Sequence, residues 1–175
     1  QREEIRPVLA EVEADFRPDD YLYLYYGGQY AYRYYASRTT IPVERVFFGK
    51  CARNEPATYL EELWQFRGLP RVWILASHPY RDEVDDIFRA LEEHGTALHV
   101  IDGADARAGL FDLRSLPQEV PSVEAYFRAT REMSRGKWEC GVGIHRNALT
   151  GFGGRENSLL HQEWPTGERV GREMP

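Results

Sequence analysis

The sequence predicts an α/β domain built on a mostly parallel sheet, spanning about residues 1–115. Two observations carry that prediction. Short apolar runs, bounded by Gly, Pro and Asp, alternate with stretches of roughly 10–15 residues whose apolar positions repeat at helical spacing. The runs are apolar on successive residues and do not alternate with polar ones, which marks strands buried on both faces, as in parallel sheets. Together they imply βαβ units with right-handed crossovers and helices on both faces, a three-layer doubly wound arrangement.

The elements follow in order. Ile5, Val8, Leu9, Val12 and Phe16 recur at helical spacing between Glu3 and Phe16, with Pro7 placed in the first turn, where its missing N–H costs nothing. Pro18-Asp19-Asp20 stops this helix. Tyr21–Tyr26 (YLYLYY) is the first strand, and Gly27-Gly28 ends it. Gln29–Ser37 reads as a short helix on which Tyr30, Arg33 and Tyr34 share a face. Val43–Gly49 (VERVFFG) is the second strand. Pro56–Phe66 is a helix with Tyr59, Leu60, Leu63 and Trp64 inward, stopped by Gly68. Arg71–Ser77 (RVWILAS) is the most continuously apolar strand and so the candidate for the sheet centre. Asp82–His94 is a helix with acids in its first turn, where they suit the macrodipole, and Gly95 at its end. Ala97–Ile101 is the fourth strand. After the Asp102-Gly103 turn, Arg107–Leu113 is the fifth, running back antiparallel as an edge. The expected strand order is 3-2-1-4-5 or a close relative.

Residues 116–175 differ in character and form a C-terminal extension. Eight of the 15 glycines fall in this stretch. Pro121-Ser122 suits the start of a helix running to about Met133. Trp138, Cys140, Val142 and Ile144 alternate with Glu139, Gly141, Gly143 and His145, a period of two that fits a half-buried strand. From Thr150 to Pro175 the composition is polar, Gly-rich and aperiodic, which predicts a loosely ordered tail.

Bulk composition narrows the function classes. The net charge of −6 disfavours nucleic acid, whose phosphates require a basic surface. No apolar run approaches the ~18 residues needed to cross a bilayer. Cys51 and Cys140 lack zinc or CxxC spacing, and the expectation is two unpaired thiols. There is no GxGxxG, no Walker lysine, no GxSxG elbow and no HExxH, so the sequence offers no cofactor, no metal site and no assigned catalytic residue.

Ligands of open α/β sheets bind beyond the carboxyl ends of the strands. That rule selects Gly27, Gly28 and Gln29, then Lys50 beside Cys51, then His78 after the central strand, and Asp102 after the fourth. Gly27-Gly28 would let backbone approach a ligand, although a bare GG between strand and helix is more often a plain turn. His78 could act as a base oriented by Asp102, against the commoner reading of a solvent-facing or helix-capping histidine. Lys50 would favour a Cys51 thiolate, against an ordinary loop cysteine. The tyrosines between Tyr21 and Tyr35 could stack on sugars or lipid headgroups, against the more frequent reading of core and sheet-edge packing.

Three stretches also carry a resemblance: EEIRPVLAEVEADFRPDDYLYLYYGGQYAYRYYA, RVWILASHPYRDE and GADARAGLFDLRS. Together, over residues 3–115, they resemble the soluble C-terminal domain of bacterial integral-membrane glycosyltransferases of the GT-C-fold, protein-mannosyltransferase-like group, which use polyprenyl-phosphate sugars. The resemblance implies a Rossmann-like accessory domain on the periplasmic or extracellular face of a bacterial membrane. Its implied partners are the membrane part of its own parent chain and a lipid-linked sugar or acceptor. It maps no catalytic residue here, because in that group catalysis belongs to the membrane helices and a carboxylate on an extracytoplasmic loop. Two other readings stand beside it: a small-molecule or nucleotide-binding α/β protein that uses the strand-end rim, and an interaction module that docks through its tyrosine-rich face.

Overall fold

A computed structural model describes residues 5–53, 55–122 and 125–127. The helix expected to run to Met133, the strand at Trp138–His145 and the tail from Thr150 fall largely or wholly outside them. In chain order the elements are α1 (Ile5–Asp15), β1 (Tyr21–Leu24), α2 (Gln29–Tyr35), β2 (Val46–Phe48), α3 (Ala57–Trp64), β3 (Val72–Ser77), α4 (Glu83–His94), β4 (Thr96–Asp102) and β5 (Ala106–Asp112). Single 3₁₀ turns at Tyr26–Gly28 and Val43–Arg45 precede α2 and β2. The second strand is therefore shorter than VERVFFG suggested: its first three residues coil before the chain joins the sheet.

The chain forms an α/β fold on one five-stranded mixed sheet, ordered β2-β1-β3-β5-β4. β1 pairs in parallel with β2 and with β3, Leu22 standing opposite both Val46 and Trp73. Antiparallel pairing is confined to the other side, where the β4–β5 hairpin forms the edge. The order differs from the expected 3-2-1-4-5 in two places: β3 lies in the centre between β1 and β5 instead of at the edge beyond β2, as suits the strand buried along its whole length, and the two strands of the hairpin are exchanged. β5 lies inside, against β3, and β4 lies outside. The burial of the two strands accounts for this. In β5, Ala106, Ala108, Leu110 and Phe111 are all buried, whereas Thr96–His99 of β4 are exposed. A strand buried on both faces gains most from an interior place, where each residue removed from water contributes on the order of 1 kcal/mol or more.

Side-chain alternation along the central strands feeds two apolar clusters. Tyr23, Tyr25, Val72, Ile74 and Ala76 join α3 and α4 through Tyr59, Leu60, Leu63, Ile87, Phe88 and Leu91. Leu22, Leu24, Trp73 and Leu75 join α1 and α2 through Ile5, Val8, Leu9, Val12, Ala31 and Tyr32. Successive residues of β1 and β3 thus divide between the two clusters, as the period of two requires.

The amino-terminal ends of β1 and β3 are locked together by one carboxylate. Asp20, just before β1, is 1% exposed. It accepts hydrogen bonds from Trp73 Nε1 at 3.1 Å, Arg71 Nε at 2.8 Å and the Arg17 amide at 3.0 Å. Pairing with Arg71 and saturation of its oxygens are what make a buried carboxylate tolerable at this position. This end of the sheet is a structural anchor.

Candidate functional site

β1, β2 and β3 run in parallel, and β4 points the same way because both it and β3 are antiparallel to β5. Their carboxyl ends therefore form one rim, joined by the amino end of β5. Two buried glutamates organise the interior of this rim. Glu62, on α3, accepts from Tyr23 Oη at 2.8 Å and from the Lys50 amide at 3.3 Å. Burial pushes its carboxyl up to about 7, against the opposing pull of the Tyr23 and Lys50 hydrogen bonds. Glu83, in the first turn of α4, accepts from Tyr25 Oη, from Tyr59 Oη at 3.2 Å and from Tyr26 Oη at 3.5 Å. Burial raises its carboxyl as well, and the same phenols resist that rise. The phenols of Tyr23, Tyr25 and Tyr59 are in turn raised, by burial first and then by the carboxylates they face.

This network reaches into every neighbouring loop. Tyr59 Oη accepts from the Ala52 amide at 3.0 Å, and Tyr25 Oη accepts from the Tyr80 amide at 3.3 Å. Arg53 Nε donates to Tyr26 Oη at 2.6 Å, and its guanidinium lies 4.4 Å from the Tyr80 ring centre. Glu83 is only 7% exposed and sits behind three phenols, so it holds loops in register. Charge-assisted hydrogen bonds of this kind are the strong ones.

Beside this frame opens a cleft of about 490 Å³ between the loop after β3 and the β4–β5 turn. Ala76, Val84 and Ala106 are its buried apolar walls, and His78, Arg81, Asp85, Asp102, Asp105 and Arg107 its polar ones. Arg107 spans the cleft wall. Its Nη1 lies 3.1 Å from Asp85 Oδ1, its Nε lies 3.0 Å from Asp102 Oδ1, and its guanidinium rests 4.2 Å from the Phe88 ring centre. His78 and Arg81 both hold a φ of 50°, in the left-handed region that costs a non-glycine residue about 1 kcal/mol or more. The loop after β3 is therefore held in an unfavourable backbone conformation at both ends of Pro79-Tyr80.

The sequence-selected residues separate into two groups. His78 and Asp102 come together on the cleft. Gly27, Gly28, Gln29 and Lys50 do not line it. A Cβ on Gly27 would stand 2.6 Å from the Ser77 carbonyl oxygen, and one on Gly28 would stand 3.2 Å from Ser77 Oγ, so these glycines let the chain after β1 pack against the end of β3. Gln29 Nε2 donates to the Gly49 carbonyl at 2.6 Å, tying α2 to β2. Lys50 is exposed, with its amide on Glu62.

Cys51 requires a correction. It is disulfide-bonded, not a free thiol, so a Lys50-activated thiolate is ruled out. The sequence contains one other cysteine, Cys140, which lies outside the described residues. Among the tyrosines, Tyr23, Tyr25 and Tyr32 are core, while Tyr30 and Tyr34 on α2 are exposed at 47% and 69%. The residues that sequence reasoning missed are Glu62, Glu83, Asp85, Arg81 and Arg107. Four are ordinary charged residues on helices or loops, and only tertiary contact marks them. Arg107 alone carried a signal, as the one cation inside an otherwise apolar strand.

Among the described residues, no cluster of three or more His, Cys, Asp or Glu side chains converges to hold a metal ion, and no helix is long and apolar enough to cross a membrane. A scan against protein-family models finds no match for the chain. Searches among curated proteins and among solved structures find none either.

Proposed function

We propose that this chain is an extracytoplasmic accessory domain of a membrane glycosyltransferase that uses polyprenyl-phosphate sugars. It is not catalytic by itself, and its strand-end rim is the surface presented to ligand. The disulfide at Cys51 is the observation that carries the compartment, because structural disulfides persist in oxidising surroundings and are rare in reducing ones. The resemblance supplies the parent enzyme. Its three stretches correspond to the α1–β1–α2 start, to β3 with the loop after it, and to β5. The two apolar clusters on either side of β1 and β3 support the finer reading of a three-layer, doubly wound domain.

The test has two parts. The open reading frame around this chain should encode membrane-spanning segments, and transfer from a polyprenyl-phosphate sugar by the membrane part should fall when this domain is deleted. A reading frame with no spanning segment would remove the reading. So would a membrane part that transfers equally well without the domain.

The cleft favours a second reading, a self-standing small-molecule-binding protein, because His78 and Asp102 both line it. A spanning segment in the same reading frame decides against this alternative.

A further inference from the structure

The cleft between the β3–α4 loop and the β4–β5 turn has the size of a small-molecule site, about 490 Å³ against a usual range of roughly 300–1,000 Å³. Its charges decide what class of molecule suits it. Asp85, Asp102 and Asp105 face Arg81 and Arg107, which leaves one net negative charge with histidine counted as neutral. A phosphate or carboxylate ligand would meet three carboxylates against two guanidiniums, one of which is already committed to both Asp85 and Asp102. A cationic ligand would meet that same guanidinium at the centre of the wall. An uncharged hydroxyl has neither difficulty, since it donates to a carboxylate and accepts from a guanidinium at once.

The cleft offers both halves of that recognition in fixed geometry. Asp85 Oδ1 accepts from Arg107 Nη1 at 3.1 Å, whereas Asp102 Oδ1 lies 3.0 Å from Arg107 Nε as an ion pair without hydrogen-bond geometry; both carboxylates stay exposed, at 71% and 73%, and keep acceptor capacity for a ligand. Arg107 is held by those two partners and by the Phe88 ring beneath it. Neighbouring acceptor and donor groups of this kind match vicinal hydroxyls. The buried wall of Ala76, Val84 and Ala106 suits the C–H face of a saturated ring. The left-handed backbone at His78 and Arg81 places an unfavourable conformation on the same cleft, which is where such conformations accumulate when a site requires them.

We propose that this cleft binds a neutral saccharide, with Asp85, Asp102 and Arg107 as its hydrogen-bonding wall and Ala76, Val84 and Ala106 as its apolar one. The inference rests on the rim being the ligand-facing surface, but not on the chain's belonging to a transferase.

The test is a titration of the full 175-residue chain, ¹⁵N-labelled, with D-mannose, D-glucose, D-galactose and L-arabinose, and in parallel with sodium phosphate and ethanolamine. At least one neutral sugar is expected to give saturable shifts of the Gly103, Ala104 and Ala106 amides. Asp102→Asn and Asp85→Asn alter exposed side chains, so the fold should survive. Each is expected to weaken that binding about tenfold, as loss of a hydrogen bond to a charged group implies. Overturning results are the absence of saturable shifts with any of the four sugars, phosphate or ethanolamine binding in their place, or sugar binding unchanged in both variants. Any of these would leave the membrane-span and domain-deletion tests of the accessory-domain reading unaffected.

Discussion

Asp20 bears more of the structure than any other single side chain at the amino end of the sheet. Three donors converge on its 1%-exposed carboxylate, one of them the Arg71 guanidinium. Removing it leaves the Trp73 indole N–H without its acceptor and Arg71 with Asp15 alone, through the carboxylate at 3.3 Å and the carbonyl at 2.8 Å. Asp20→Ala should therefore cost about 1–3 kcal/mol, the range for leaving a buried donor unsatisfied. Asp20→Asn keeps an acceptor and should cost less; urea unfolding of the two variants measures the difference. Glu62 gives a pH signature. Burial raises its folded carboxyl from the ordinary 4.5 to about 7. Between those values the folded state holds a proton that the unfolded state has released. This contribution to stability is complete below about pH 4.5 and is lost as pH rises through about 7. It amounts to at most about 3 kcal/mol at one pKa unit per 1.36 kcal/mol. Glu62→Gln cannot lose that proton. The melting temperature of wild type relative to this variant should fall from pH 4.5 to 7.5, and a constant difference would show that Glu62 does not titrate there. Ser77 Oγ is buried without a hydrogen-bond partner among the described residues, so Ser77→Ala should be neutral or stabilising by about 1 kcal/mol.

The elements show where sequence reasoning succeeds and where it stops. Among the described residues, apolar spacing located the four helices and five strands, because burial on one helical face or along an apolar strand leaves its period in the sequence. It did not locate the strand order: β3 sits between β1 and β5 and not beyond β2, and the last two strands are exchanged. ALHVI is more apolar than its neighbours yet forms the exposed edge, while RAGLFDL, broken by Arg107 and Gly109, lies inside. The small residues of β5 are the reason. A Cβ on Gly109 would stand 2.6 Å from the Phe111 ring and 2.8 Å from the Phe88 ring, so the strand needs glycine to fit beneath α4. That requirement exists only once β5, α4 and Phe111 are packed together, and no window of sequence displays it. Gly109→Ala should destabilise by about 1–3 kcal/mol, the usual cost of overpacking, and Phe88→Leu in the same chain should recover part of it. A double variant no more stable than Gly109→Ala alone would place the crowding elsewhere.

At the scale of the whole molecule, the candidate site was half legible. The strand-end rule placed His78 and Asp102 on one rim, and they share a cleft. It could not separate them from Gly27, Gly28, Gln29 and Lys50, because a rim is several strands wide and the rule has no term for which gap stays open. Here the tyrosine–glutamate network fills the gap between β1 and α4, and the cleft opens only beyond β3. Arg107 was outside its reach entirely, since it enters the rim from the start of the antiparallel strand.

The disulfide at Cys51 crosslinks the loop after β2, and its stability effect follows from that crosslink. A crosslink acts mainly by restricting the unfolded chain, and typical native disulfides contribute about 2–4 kcal/mol. Cys51→Ser should lower the unfolding free energy by that order. A reductant should lower the melting temperature of the wild type and leave the variant unmoved. Because the Ala52 amide donates to Tyr59 Oη one residue away, the loss should also loosen the loop that Tyr59 shares with Glu83, and the Ala52 amide should exchange faster in Cys51→Ser. The cleft amides at Gly103 and Ala106, held by β3 and β4 on the far side of β1, should keep their protection relative to the global value. If reduction left both melting temperature and Ala52 exchange unchanged, the crosslink would contribute nothing to this fold. The compartment argument would then lose its physical basis.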